Sequence, residues 1–123
     1  MKLPQFFRLL FIAALLSPGC AKEPTPPAPL AVEQIPAAMD AEFQIATPEI
    51  RDAAAGMVAA VKQNELPTAF DKLQELSSRG DLSPAQRATA SRAMMGVAQS
   101  LQNAASNGDA KAAEALHRYQ TTR

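Results

Sequence analysis

The side chains best suited to covalent or acid–base chemistry occur once each: one cysteine, Cys20, and one histidine, His117. Catalysis by a histidine needs a nucleophile or a carboxylate placed beside it. A zinc site needs three or four protein ligands, and the chain has no second cysteine or histidine to supply them. We therefore expect no catalytic residue, no metal site and no cofactor, and we predict that the protein is not an enzyme. His117 is interpreted as a solvated or half-buried helical residue.

Methionine thioethers are a second possible metal-binding group, because they can bind Cu(I). Four methionines lie beyond residue 30, at Met39, Met57, Met94 and Met95, without a Met-x-x-Met cluster. We predict that they serve in packing. Met95 is the exception, because its side chain points about 100° away from that of Met94 and can remain an apolar contact for a partner.

Cys20 follows a segment with the pattern of an export signal. Lys2 and Arg8 precede the apolar run from Leu9 to Leu16, which is the order of charge and hydrophobicity in a secretory signal peptide. A membrane-spanning helix needs about 20 apolar residues, so this run is too short for one. The pattern predicts that residues 1–19 are a signal peptide.

The stretch Leu16-Ser17-Pro18-Gly19-Cys20 resembles a bacterial lipoprotein signal, in which a small residue precedes a cysteine that becomes the mature N-terminus. The resemblance implies a thioether-linked diacylglyceryl group on Cys20 and an acyl chain, such as palmitate, on its amine. Two or more chains would anchor the protein firmly, since each buried methylene contributes about 0.8 kcal/mol. Ala21 stands where inner-membrane retention usually requires Asp, which points to the outer membrane and its periplasmic face. The alternative is an ordinary secretory signal cut near Ala13 to Ala21, with Cys20 incidental or in an intermolecular disulfide.

Residues 20–46 are predicted to be a tether. The part from residue 22 to residue 36 holds half of the ten prolines and few large apolar side chains, so it is expected to be disordered. An extended proline-rich segment rises about 3.1 Å per residue, so residues 21–36 would reach roughly 50 Å. Ile35, Met39 and Phe43 recur every four residues and predict a short helix ending near Ala46.

Beyond residue 46, apolar residues recur at helical spacing in four segments. The predicted helices run from Pro48 to Asn64 after the N-cap Thr47, from Pro67 to a left-handed cap at Gly80, from the capping box Ser83-Pro84-Ala85-Gln86 to Ala105, and onward from Asn107-Gly108-Asp109. Their predicted buried stripes are Ile50, Ala54, Met57 and Val61; Leu66, Phe70, Leu73 and Leu76; Ala90, Met94, Val97, Leu101 and Ala104; and Ala112, Leu116 and Tyr119. Glu114 and Arg118 are predicted to pair one turn apart. The fold class is therefore all-α, a small antiparallel bundle of about four helices in two hairpins over residues 47–123.

The charge pattern limits the partners. Without residues 1–19, ten basic and twelve acidic side chains remain, and they are interspersed rather than clustered. This pattern argues against a phosphate-binding surface, so we expect no nucleic acid partner. The predicted function is a lipoprotein of the cell envelope that contacts the bilayer through acylated Cys20 and binds a protein partner, or a second copy of itself, through Met95, Met39 and Phe43. The alternative is a periplasmic carrier or sensor of a small apolar ligand.

Overall fold

The computed structural model describes residues 27–122, and the chain is all-helical over that range, with no strand. A 3₁₀ turn at Val32–Gln34 leads into five α-helices: α1 (Ile35–Phe43), α2 (Pro48–Lys62), α3 (Leu66–Ser77), α4 (Pro84–Ser106) and α5 (Ala110–Thr121). The predicted all-α class is confirmed. Helices α2 to α5 correspond to the four predicted helices, and α1 corresponds to the short helix predicted at the end of the tether.

The starts of the helices follow from the sequence. Helices α1 to α4 each carry a proline at the first or second position, where its missing N–H costs no hydrogen bond. The predicted capping box of α4 is confirmed: the Gln86 N–H donates to Ser83 Oγ (3.1 Å) and the Ser83 N–H donates to Gln86 Oε1 (2.9 Å). Asp109 caps α5 by accepting from the backbone N–H groups of Lys111 and Ala112.

The connection between α3 and α4 differs from the prediction. Gly80 does not have a positive φ, and the left-handed glycine is Gly108 (φ 94°), between α4 and α5. The carbonyls of Gln74 and Leu76 accept from the backbone N–H groups of Ser78 and Arg79, and that of Glu75 accepts from Ser78 Oγ. Arg87 on α4 donates to the Ser77 carbonyl at 3.3 Å and to the Arg79 carbonyl, just beyond the helix, at 3.0 Å. Because these donors satisfy the end of α3, no left-handed cap is needed there.

The core is shared by all five helices. Every residue of the predicted α2 stripe is buried, as are the following: Phe70, Leu73, Leu76, Ala90, Val97, Leu101 and Ala112. On α4 the buried face is wider than predicted, since Ala93 and Gly96 are buried while Met94 and Ala104 are half-buried. Helix α4 contacts α1, α3 and α5, so two flanks of this helix are covered rather than one stripe.

The packed region begins well before the predicted boundary at residue 47. Ile35, Met39 and Phe43 are 0%, 0% and 2% exposed, and Leu30 is 6% exposed. Helix α1 lies against both α2 and α4, so residues from Leu30 onward belong to the core rather than to a disordered tether. The proline-rich composition of this region concealed the contribution of its few large apolar residues, each of which has a place in the core.

The predicted pair between Glu114 and Arg118 is replaced by a contact between helices. Arg118 on α5 lies 3.5 Å from the carboxylate of Asp71 on α3, and both side chains are more than half exposed. An exposed ion pair of this kind contributes about 0–1 kcal/mol. Its effect is to favour the approach of α5 to α3 rather than to stabilise α5 alone.

Candidate functional site

Three of the four residues predicted to have functional roles lie within the described part of the chain. Cys20 lies outside the described residues. Met39 and Phe43 are 0% and 2% exposed, yet both line a surface cavity of about 280 Å³ between α1 and α2. Little of either side chain is available to a partner, and their role as partner contacts stays a prediction. Met95 is half-buried on α4, at the edge of a groove.

This apolar groove lies where α3, α4 and α5 meet. It has a volume of about 220 Å³ and is lined by Phe70, Ser91, Met94, Met95, Ala98 and Tyr119. The four α4 residues follow the spacing i, i+3, i+4 and i+7, which places them along one side of a helix. We call this set of six residues the Met95 groove.

Two aromatic rings form the part of the groove opposite α4. Phe70 on α3 is 1% exposed, and its ring meets that of Tyr119 on α5 edge to face, with centroids 5.3 Å apart and planes at 78°. Edge-to-face pairs of this kind are favourable beyond the area they bury. The pair therefore holds α5 against α3 and gives the groove a fixed aromatic surface.

The groove stays open because the residues on the α4 side are small or flexible. Ser91 is exposed, whereas Met95, Ala98 and Tyr119 are half-buried. Ala98 is too short to fill the space towards α5, and a methionine side chain can change its shape to suit a neighbour. The site is therefore suited to apolar contact, with hydroxyl groups from Ser91 and Tyr119 at its surface.

The groove has no charged residue in its lining. The two arginines of α4 are held by backbone carbonyls: Arg87 donates to those of Ser77 and Arg79, and Arg92 donates to that of Ala28. On the side of α3 and α5, the groove is flanked by the exposed ion pair of Asp71 and Arg118. The lining of the groove is therefore neutral.

A second depression, between α2 and α3, is lined by charged groups. Its volume is about 180 Å³, and Arg79 lies at its edge. The Arg79 guanidinium donates to both carboxylate oxygens of Asp81 (3.0 and 2.9 Å) and lies 3.5 Å from Glu49. Hydrogen bonding to Asp81 raises the pKa of Arg79, and the same bond lowers the pKa of Asp81. These contacts brace the α3–α4 connection against α2.

The remaining chemical candidates do not form a site within residues 27–122. His117 is exposed on α5. No group of three or more histidine, cysteine or carboxylate residues in this range could hold a metal ion. None of the helices in the same range combines the length and the apolar character needed to cross a membrane.

Comparison with known proteins gives no relative. No protein-family model matches the chain, and no match was found among the curated proteins or the solved structures. A functional assignment therefore depends on the N-terminal sequence and on the geometry of the Met95 groove.

Proposed function

We propose that the protein is a lipid-anchored lipoprotein of the bacterial cell envelope whose helical domain binds a protein partner through the Met95 groove. The anchor is acylated Cys20, at the periplasmic face of the outer membrane. The pattern of basic residues, apolar run and Gly19-Cys20 supports the anchor. The absence of a second cysteine supports it further, because Cys20 has no partner for an intramolecular disulfide.

The domain is proposed to be an antiparallel bundle of two hairpins, α2–α3 and α4–α5, with α1 packed across α2 and α4. Only residues 63–65 connect α2 to α3, and only residues 107–109 connect α4 to α5. Connections this short join antiparallel neighbours. Each helix also contacts the next along the chain. In this arrangement α4 contributes one flank to α1 and the other flank to the Met95 groove.

The observation that carries the proposed binding role is the apolar lining of the groove. Met94, Met95 and Ala98 on α4 line the groove together with the rings of Phe70 and Tyr119, and no charged residue lines it. An amphipathic helix binds a groove of this kind by inserting large apolar residues spaced three and four positions apart along its own sequence. We therefore propose such a helix as the partner.

Site-specific photo-crosslinking in growing cells tests this role. A photoreactive residue at Ser91, which is exposed and lines the groove, is expected to capture a defined protein band. The matched control is Ala59, an exposed residue of α2 outside the groove. Equal capture from Ser91 and Ala59, or capture from neither, would argue against a partner at the groove.

Met95→Glu is expected to abolish the band captured from Ser91, because a carboxylate in an apolar contact loses its hydration without gaining a partner. Helicity and melting temperature should stay close to those of the unchanged protein, since Met95 is only half-buried. Circular dichroism and the crosslinking yield measure the two effects. Ala59→Glu is the control for an added charge. A crosslinking yield that survives Met95→Glu in a folded protein contradicts the assignment.

A second candidate function is a periplasmic carrier or sensor of a small apolar ligand, which is favoured by the two aromatic rings beside the groove. A hydrophobic fluorescent dye distinguishes the two functions. A carrier would bind the dye saturably at one site, and Met95→Glu would abolish that binding. A protein-binding groove this open would take up dye weakly and without saturation.

A further inference from the structure

The residues just before the 3₁₀ turn are fastened to the middle of α4. The backbone N–H of Leu30 donates to the carbonyl of Arg92 at 3.1 Å. The guanidinium of Arg92 returns a hydrogen bond from Nε to the carbonyl of Ala28 at 2.9 Å. The Leu30 side chain is buried in the same core cluster as α1 and α4. One residue of α4 therefore holds this segment by two backbone groups, and a buried leucine completes the attachment.

Gly96 makes this close approach possible. A Cβ atom at Gly96 would lie 1.8 Å from the Leu30 carbonyl oxygen and 2.9 Å from its carbonyl carbon. Both neighbours are backbone atoms, so no side chain could move aside to relieve the clash. The glycine at Gly56 of α2 has no such constraint, because a Cβ there would meet only the end of the Lys72 side chain, at 3.8 Å.

A glycine inside a helix destabilises the helix by roughly 0.5–1 kcal/mol relative to alanine. At Gly96 the backbone of Leu30 lies too close for any residue with a Cβ atom. The backbone contacts and the missing Cβ together form a clamp, which we define as Arg92 and Gly96 holding Ala28 and Leu30.

We infer that this clamp fixes the point at which the membrane tether leaves the domain and so sets how far the domain stands from the bilayer. The inferred distance from the bilayer rests on the proposed lipidation of Cys20. The clamp itself does not depend on that lipidation. Only residues 21–26 lie between Cys20 and Pro27. Even a fully extended chain spans at most about 3.6 Å per residue, which limits the distance from Cys20 to Pro27 to about 25 Å.

The clamp also constrains the partner. Gly96 is the residue after Met95, so the clamp and the Met95 groove lie on different sides of one helix. A helix with its side chains is about 10–12 Å across, which places the groove within about 40 Å of the bilayer surface. A partner at the groove therefore binds within that distance of the membrane.

Hydrogen exchange of the full chain with Cys20→Ser tests the clamp independently of the lipid. The Leu30 amide is expected to exchange at least tenfold more slowly than an unprotected amide, because it donates to the Arg92 carbonyl. Gly96→Ala should raise the exchange rate of the Leu30 amide at least tenfold while leaving α2 to α5 protected. Gly56→Ala, also a helix-interior change, should leave that rate unchanged.

Arg92→Ala is the second variant, in case Gly96→Ala disturbs the whole fold. It removes one of the two hydrogen bonds without adding an atom, and it should raise the exchange rate of the Leu30 amide severalfold. An unprotected Leu30 amide in the parent protein, or protection unchanged in both Gly96→Ala and Arg92→Ala, overturns the clamp.

Energy transfer in lipid vesicles tests the distance. A donor dye on Ser91→Cys in the lipidated protein, with acceptor lipids in the vesicle, should show lower transfer when Gly96→Ala is added and unchanged transfer when Gly56→Ala is added. Equal transfer in all three proteins overturns the inference about distance. A protein that fails to bind vesicles at all would instead contradict the proposed anchor, and the exchange result on the clamp would stand separately.

Discussion

Leu101→Ala is expected to lower the free energy of unfolding by about 2–5 kcal/mol. Leu101 is 1% exposed and lies in the core cluster, so the truncation removes a full set of packing contacts and leaves a cavity. Native domains have a net stability of about 5–15 kcal/mol. The variant should therefore lose a large fraction of its stability and unfold at a clearly lower denaturant concentration. Chemical denaturation followed by circular dichroism measures the change.

Leu116→Ala is the matched control for this substitution. Leu116 packs against the core but is only half-buried, and it makes the same chemical change on the neighbouring helix α5. Its cost should be clearly smaller than that of Leu101→Ala, because part of the lost side chain was already in water. Equal costs at the two positions would show that Leu101 is not a central core residue.

A chain that begins at Thr47 is expected to lose cooperative folding. It lacks α1, whose residues Ile35, Met39 and Phe43 are almost completely buried, and burial of each such side chain contributes about 1.5–3 kcal/mol. Removing α1 also exposes the apolar faces of α2 and α4 that it covers. Thermal unfolding followed by circular dichroism should show a broad transition or none.

The comparison for this truncation is a chain that begins at Pro27, which keeps every described contact and should melt in one sharp transition. If the two chains melt at the same temperature with equal cooperativity, α1 does not belong to the core. The experiment also distinguishes a folded domain that begins at residue 47, as predicted from the sequence, from one that begins near Leu30, as the structure shows.

Helix positions were predictable because their signals are local. The hydroxyl of Ser83 and the amide of Gln86 mark the start of α4 whatever surrounds them, and the apolar spacing of α2 alone identifies its buried face. The N-terminal segment was not predictable in this way. Its composition resembles a disordered linker, and the burial of Leu30 depends on a glycine 66 positions later in the chain.

Contacts between helices were the main source of error. Arg87 donates from α4 to the last carbonyl of α3, and Gly80 does not have the positive φ that its position suggested. Arg118 pairs with Asp71 on another helix rather than with Glu114 on its own. Helical spacing says which residues share a face, but not which neighbouring helix supplies the partner.

The groove was predictable only in part. The offset of Met95 from the core stripe follows from helix geometry and identifies it as a surface candidate. Phe70 and Tyr119 carry no comparable signal, because their place beside Met95 depends on how α3 and α5 approach α4. Met39 and Phe43 belong to the core cluster, which shows that an apolar spacing that suits a binding face also suits a core.

The central claim is that Cys20 anchors this helical domain to a membrane. Mass spectrometry of the protein purified from membranes tests it most directly, by identifying the first residue and the mass attached to it. The account predicts an N-terminal peptide that begins at Cys20 and carries a diacylglyceryl group and an amide-linked acyl chain, and it predicts that Cys20→Ser abolishes both the cleavage and the added mass. An unmodified Cys20 within an intact chain, or a mature N-terminus elsewhere between Ala13 and Ala21, would contradict it.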